Sequence, residues 1–240
     1  MIPASRIGAF FDIDGTLLPP PPIEWRFAMW LVRRRLLSRR RIAKWAMAAV
    51  CPLSNGNAMA IRTNKAYLAG LRASIFEDWE ASLAPNALAL FPEGVDRLAY
   101  HFEQGHRIFL ISGTLAPLAQ MLGRRIGGVV EVCATELSSI DGAYSGRIEG
   151  KHLSGSAKAD VAVQIARDSG VSLADSHAYG NHMDDLAMLS SVGCPVAVNP
   201  TRQLKRIARH RHWCTLRWVA AESAATFPPR RQFVSPKETH

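Results

Sequence analysis

Five short apolar runs, each ending in small or polar residues, set the first limit on how this chain folds: residues 7–13 (IGAFFDI), 107–112 (RIFLIS), 129–135 (VVEVCAT), 176–181 (SHAYGN) and 195–199 (PVAVN). Runs that are apolar throughout, rather than alternating, suit parallel strands covered on both faces. Helical patterns follow at Ala116 to Arg125, Ala157 to Ser169, Asp184 to Ser191 and Arg202 to Arg211. Strand and helix alternating in this way predict an α/β protein with an open, doubly wound, mostly parallel sheet. Ligands of such sheets bind beyond the carboxyl ends of the strands. Whatever stands just after each run is therefore a candidate for chemistry.

The first and second runs are separated by roughly ninety residues, too long for one crossover and rich in Arg, Trp, Ala and Leu. This stretch is expected to be an inserted helical cap at residues 19–87, entered through Pro19 to Pro22 and left through the loop Ala84 to Asn86 or the turn around Pro92 and Gly94. Residues 1–18 and 88–220 then make up the core. Residues 138–150 (SSIDGAYSGRIEG) place Asp141-Gly142 between short alternating runs and read as a hairpin. Residues 221–240 carry Pro228, Pro229 and Pro236 among charges and read as a flexible tail.

Asp12 and Asp14 end the first run, two residues apart, ahead of Gly15 and Thr16. Side chains two apart on an extended chain point the same way, so both carboxylates can face one pocket. Carboxylates held together repel, and a magnesium ion shared with phosphate oxygens offsets that repulsion. An Asp-Gly pair at a strand end is also a common turn. Ser112, Gly113 and Thr114 end the second run before a helix, where hydroxyls and backbone N–H groups can bind a phosphate oxygen or merely cap the helix. Lys158 opens a helical pattern after Ser154, Gly155, Ser156 and Ala157. Taken singly each has a plain structural explanation; all of them in this order, each beside a strand end or helix start, do not.

At these residues the chain resembles the haloacid dehalogenase superfamily, in the branch like phosphoserine phosphatase, over roughly residues 7–215. FFDIDGTLL, LISGT, GSAK and YGNHMDDLAML stand for the four motifs of that family. The resemblance implies a Rossmann-like core with an inserted cap and a magnesium-dependent phosphomonoester hydrolase acting through an aspartyl-phosphate. Asp12 is then the nucleophile and Asp14 the acid and base. Thr16, Ser112, Gly113, Thr114 and Lys158 bind the phosphoryl group. Asp12, Asp14, Asn181, Asp184 and Asp185 surround the metal.

The fourth motif departs from the family's usual G-D-x-x-N-D or G-D-x-x-S-D. The first acid is Asn181, and Asp184 stands where Asn or Ser is usual, with Asp185 kept. An amide oxygen still ligates a hard cation but carries no full charge. Asp184 restores the local charge count and is expected to take over part of that role. The competing reading is a weakly active or non-catalytic phosphate-binding relative. His182 is read as a loop residue near the entrance.

The acid that phosphoserine phosphatases place soon after the first motif, to meet the amino group of serine, is not matched: PPPP occupies that place and Glu24 comes later. The expected substrate is a small phosphorylated metabolite. A net charge of +9 favours anionic partners without naming one. The basic cap run holds Arg33, Arg34, Arg35, Arg39, Arg40 and Arg41 among Trp25, Trp30 and Trp45. It allows weak peripheral contact with an anionic membrane, although a solvated cap helix is the preferred reading. Nucleic-acid binding is not expected, since no reading motif accompanies the charge. Cys51, Cys133, Cys194 and Cys214 lack disulfide or zinc spacing and are read as buried free thiols. With no signal-peptide pattern or membrane-length apolar run, a cytoplasmic location is expected.

Overall fold

The computed structural model describes residues 6–37, 64–127 and 130–220. Its main sheet has six strands in the order β3-β2-β1-β6-β7-β8, every neighbouring pair parallel. These are β1 (Gly8–Phe11), β2 (Arg107–Leu115), β3 (Val130–Thr135), β6 (His177–Gly180), β7 (Cys194–Val198) and β8 (Cys214–Leu216). A separate antiparallel hairpin joins β4 (Leu137–Ile140) to β5 (Ala143–Ile148). β1 lies between β2 and β6, so the winding reverses beside it and opens a crevice beyond the carboxyl ends of these strands.

All four residues of β1 are buried, as are Phe109 to Leu110 of β2 and Val196 to Val198 of β7. Helices α1 (Ile23–Arg33), α2 (Ile75–Ser82), α3 (Pro92–Glu103), α4 (Ala116–Ile126), α5 (Ser156–Ser169), α6 (Leu186–Ser190) and α7 (Arg202–His210) surround the sheet. Apolar side chains fall into two clusters. One contains Phe11, Tyr179 and Leu110 with α1 and α2; the other contains Phe10, Phe109, Ala178 and Ala197 with α5 and α7. Successive β1 side chains enter different clusters because alternate residues of a strand face opposite sides.

Between β1 and β2 the described chain holds α1, a short 3-10 turn at Ala66–Leu68, α2 and α3. Phe27 stacks on Phe76 with ring centroids 4.5 Å apart and meets Trp79 edge-on at 5.3 Å, joining α1 to α2. The Arg26 guanidinium donates to the carbonyls of Pro19 (2.5 Å), Pro21 (2.8 Å) and Ala87 (2.9 Å), tying the outgoing and returning connections of this segment together. The hairpin packs on it from the other side: Gly70 N–H donates to Tyr144 O, and Tyr144 N–H donates to Leu71 O.

The structure corrects several expectations. Residues around Pro92 and Gly94, read as a turn, begin the twelve-residue helix α3. Pro92 stands in its first turn, where no intrahelical N–H bond is lost. Cys133 is half-buried, and Cys194 and Cys214 are exposed free thiols rather than buried ones. Cys194 opens β7 and Cys214 opens the edge strand β8, both at exposed positions. Cys51, Arg39, Arg40, Arg41, Trp45 and the tail at 221–240 lie outside the described residues. No helix among the described residues is long and apolar enough to cross a membrane.

Candidate active site

The chain leaves β1 at Asp12, whose N–H still donates to Tyr179 O (3.0 Å), and then turns sharply. Ile13 O accepts from the N–H groups of Thr16, Leu17 and Leu18, with Gly15 in the left-handed region at φ +82°. This turn points Asp12 and Asp14 into a common cavity of about 310 Å³. Glu24, Ser112, Gly113, Thr114, His152, Lys158, Asn181, Asp184 and Asp185 share its walls. Thr16 stands behind the nucleophile candidate, its hydroxyl donating to Asp12 Oδ2 (3.2 Å).

Ser112, Gly113 and Thr114 reach the cavity through an irregularity in β2, whose register with β3 jumps from Ile111–Cys133 to Leu115–Thr135. Such a bulge re-aims side chains at the end of a strand. Thr135, fully buried, holds the loop: its hydroxyl donates to Gly113 O (2.9 Å) and accepts from Leu153 N–H (3.2 Å). Ser112 Oγ accepts from Thr114 N–H (3.3 Å), while the buried Thr114 hydroxyl has no partner among the described residues.

Lys158, in the first turn of α5, is the centre of charge. Its Nζ donates to Asp12 Oδ1 (2.6 Å) and Asp185 Oδ1 (2.5 Å), and the three residues are 3%, 5% and 1% exposed. Asp185 Oδ2 accepts from the N–H groups of Asn181 and His182 (2.9 Å each), so both its oxygens are engaged. Its part is to fix Lys158 and the loop after β6. Gly180 is required for this closeness, since a Cβ there would lie 2.5 Å from Asp185 Cβ. Gly155 N–H donates to Asp184 O (3.0 Å) and joins the lysine's loop to the same place.

Burial, the Asp185 charge and Asp14 push the Asp12 carboxyl up to about 7 against the pull of Lys158. Burial works to lower Lys158, but Asp12 and Asp185 outweigh it and hold the ammonium charged. Asp14 rises to about 6, chiefly through burial; Ile23 N–H, donating to its Oδ1 at 2.7 Å, opposes that rise. Since Ile23 opens α1, the Asp14 carboxyl is also tied to the inserted segment.

The residues of the fourth motif line the cavity together. Asn181 lines the cavity with its amide packed on Gly15, where a Cβ would meet Nδ2 at 2.1 Å. Asp184 also lines the cavity, and its Oδ2 lies 3.1 Å from His182 Nδ1. Glu24 reaches the cavity too, but Lys65 grips both its oxygens (2.6 and 2.8 Å) and Tyr67 donates to one (2.8 Å). The sequence gives no sign of His152 at the site, and it shows Ser154 only as a small residue ahead of Lys158. The His152 ring lies over Gly113 and its Nδ1 is 3.1 Å from Ser154 Oγ. Neither has a local signal beyond standing just ahead of Lys158.

Known proteins give the same picture. A family model for haloacid dehalogenase-like hydrolases matches residues 9–190. A relative from Mycobacterium tuberculosis, phosphoserine phosphatase SerB1, is 30% identical over 85% of this chain and 68% of its own. A Streptomyces azureus protein named for inhibition of morphological differentiation is 26% identical over 87% of this chain and 77% of its own. Among solved structures, a Bordetella pertussis protein of unknown function superposes with a TM-score of 0.73 at 25% identity, covering 88% of this chain and 99% of its own. A substrate-bound phosphoserine phosphatase shares the fold at a TM-score of 0.60 and 19% identity, over 88% of this chain and 93% of its own. With four motifs gathered at one crevice of a doubly wound sheet, and a family model spanning most of its length, the chain belongs to the haloacid dehalogenase-like hydrolases.

Proposed function

We propose that this phosphatase hydrolyses a small phosphomonoester in two displacements, with Asp12 as the group that carries the phosphoryl in between. The sealed Asp12–Lys158–Asp185 cluster, opening on one cavity beside Asp14, is the observation that carries this reading. An Asp12 oxygen attacks phosphorus, the bond from phosphorus to the leaving oxygen breaks, and that oxygen takes a proton from Asp14. Asp14 then takes a proton from water, whose oxygen attacks phosphorus. The bond to Asp12 breaks, releasing inorganic phosphate and restoring the carboxylate. A carboxyl raised to about 6 holds and yields a proton near neutral pH, which supports this role for Asp14. Lys158, Ser112, Gly113, Thr114 and Thr16 are the groups that bind and neutralise the transferred phosphoryl.

The donor set suits magnesium. Asp12 and Asp185 share the buried Lys158 ammonium, Asp14, Asn181 and Asp184 line the same cavity, and the side-chain donors these residues offer an ion are hard oxygens. Asp12, Asn181, Asp184 and the main-chain carbonyl of Asp14 would hold the ion, with Asp185 in support. When bound it supplies positive charge that offsets the carboxylates and the phosphoryl oxygens together. Asn181 favours a second reading, a phosphate-binding relative with weak turnover.

Phosphoserine, named for one relative, is not the substrate we assign. Glu24, the acid that follows the first motif, is occupied by Lys65 and Tyr67 and is not free to meet an amino group. The inserted segment at 19–87 is proposed as the cap that selects the leaving group. A panel of phosphomonoesters with magnesium tests the reading. Metal-dependent phosphate release by the wild type and none by Asp12→Asn supports it, and binding of phosphate without release by either favours the second reading.

A further inference from the structure

The strands that carry the phosphatase site at their carboxyl ends carry a different cluster at their amino ends. His101 lies in the last turn of α3, His106 immediately precedes β2, and His177 opens β6. One ring nitrogen from each falls within 4.8 Å of the other two. The ring centroids are 4.9 Å apart for His101–His177, 5.1 Å for His101–His106 and 6.0 Å for His106–His177. We propose that His101, His106 and His177 form a binding site for a divalent transition metal of the zinc, nickel or copper class, separate from the phosphatase centre.

Imidazole nitrogen is the ligand these ions favour, whereas magnesium prefers oxygen. His101 is fully buried and already oriented as a ligand would be: Nε2 faces the Tyr179 hydroxyl at 2.8 Å, leaving Nδ1 toward His106 Nδ1, also at 2.8 Å. With Nε2 donating to Tyr179, the second nitrogen presents a lone pair, and such an outer partner fixes tautomer and ring direction at metal sites. The ring nitrogens of His177 make no hydrogen bond among the described residues. Burial lowers all three imidazoles, and neighbouring imidazoles with Arg97 lower His101, to about 3, and His177 further.

Metal–nitrogen bonds of about 2.0–2.1 Å in a tetrahedron put ligand nitrogens about 3.3 Å apart. The His101–His106 pair must open slightly and His177 must close, shifts available to half-exposed rings at strand starts. The half-exposed His106 and His177 form the entry side, where a fourth position stays open to water. Arg97 is the opposing charge: it faces His101 and His177 and lies over the Tyr100 ring at 5.6 Å. The simpler account is a hydrogen-bonded chain from Tyr179 through His101 to His106 that holds no ion.

The two accounts separate in a titration of the full chain with zinc in excess magnesium, which occupies the carboxylate site, and with cobalt as a spectroscopic substitute. The expected result is one zinc equivalent and the intense visible absorption of tetrahedral cobalt. Both are weakened at least about tenfold in His106→Ala and His177→Ala, and both are unchanged in Asp12→Asn. His101 is left intact because it is buried, and His106→Gln checks that any loss does not come from a lost hydrogen bond alone. The site is refuted by no zinc binding and no cobalt band in the wild type, or by undiminished affinity in the His106→Ala, His177→Ala double variant.

Discussion

Lys158 Nζ stands 2.6 Å from Asp12 Oδ1, and both side chains are almost sealed from water. The same ammonium holds Asp185, so one lysine compensates two buried carboxylates. Removing one partner of a buried pair leaves uncompensated charge and costs about 3–5 kcal/mol. Lys158→Met is expected to lose that much stability at pH 8, along with activity. The deficit shrinks as the pH falls, because Asp12, its carboxyl already raised to about 7, takes up a proton and becomes neutral. Urea denaturation across pH checks both the size and the slope.

Asp14 gives a second pH signature, of opposite sense to a surface acid. Its carboxyl is raised by burial from 3.8 to about 6. A raised carboxyl stabilises the fold fully below its unfolded value, and that contribution is lost as the pH rises through about 6. Asparagine keeps an oxygen for Ile23 N–H and carries no charge. Metal-free Asp14→Asn is therefore expected to be more stable than wild type above pH 6, by up to about 3 kcal/mol at 1.36 kcal/mol per unit. The difference vanishes below pH 4. Thermal unfolding in chelator reads this directly, and an inactive but stabilised variant is the outcome predicted.

The exchange of Asn181 and Asp184 has its own consequence. Both line the cavity, but the amide packs on Gly15 while Asp184 sits beside His182. Restoring an acid at the first position should tighten magnesium about three- to tenfold, since charge count tunes such sites. Asp184→Asn should weaken it by a similar factor. Magnesium dependence of turnover in Asn181→Asp and Asp184→Asn provides the measurement.

Lys65 is expected to govern whether the cavity accepts an amine. It occupies both oxygens of Glu24 from a position only 4% exposed. Lys65→Met frees that carboxylate and should raise kcat/KM for O-phosphoserine relative to an amine-free phosphomonoester. A ratio that does not move would show that Glu24 takes no part in choosing the leaving group.

How much of this was legible in the sequence depends on whether the signal was local. β1, β2, β6 and β7 announce themselves as short apolar runs because most of their residues are buried, β3 does so as an apolar run that is only partly covered, and the hairpin through Asp141-Gly142 does so by turn chemistry. β8 was missed, being three residues long on an exposed edge. α3 was missed because Pro92 and Gly94 look like a turn until the helix beyond them is seen. Asp12, Lys158 and Asp185 were each readable beside a strand end or helix start. That one ammonium bridges both acids was not, because Asp12 and Lys158 are 146 residues apart in the chain. The capture of Glu24 by Lys65 and the gathering of three histidines are likewise contacts between distant segments.

The central claim is that Asp12 carries the phosphoryl group between the two displacements. A single-turnover experiment with radiolabelled phosphomonoester and magnesium, quenched in acid and followed by peptide mapping, tests it most directly. Transient label is expected on the Asp12 peptide, appearing before free phosphate and absent in Asp12→Asn. Phosphate released with no label on Asp12, or released at an undiminished rate by Asp12→Asn, would contradict it.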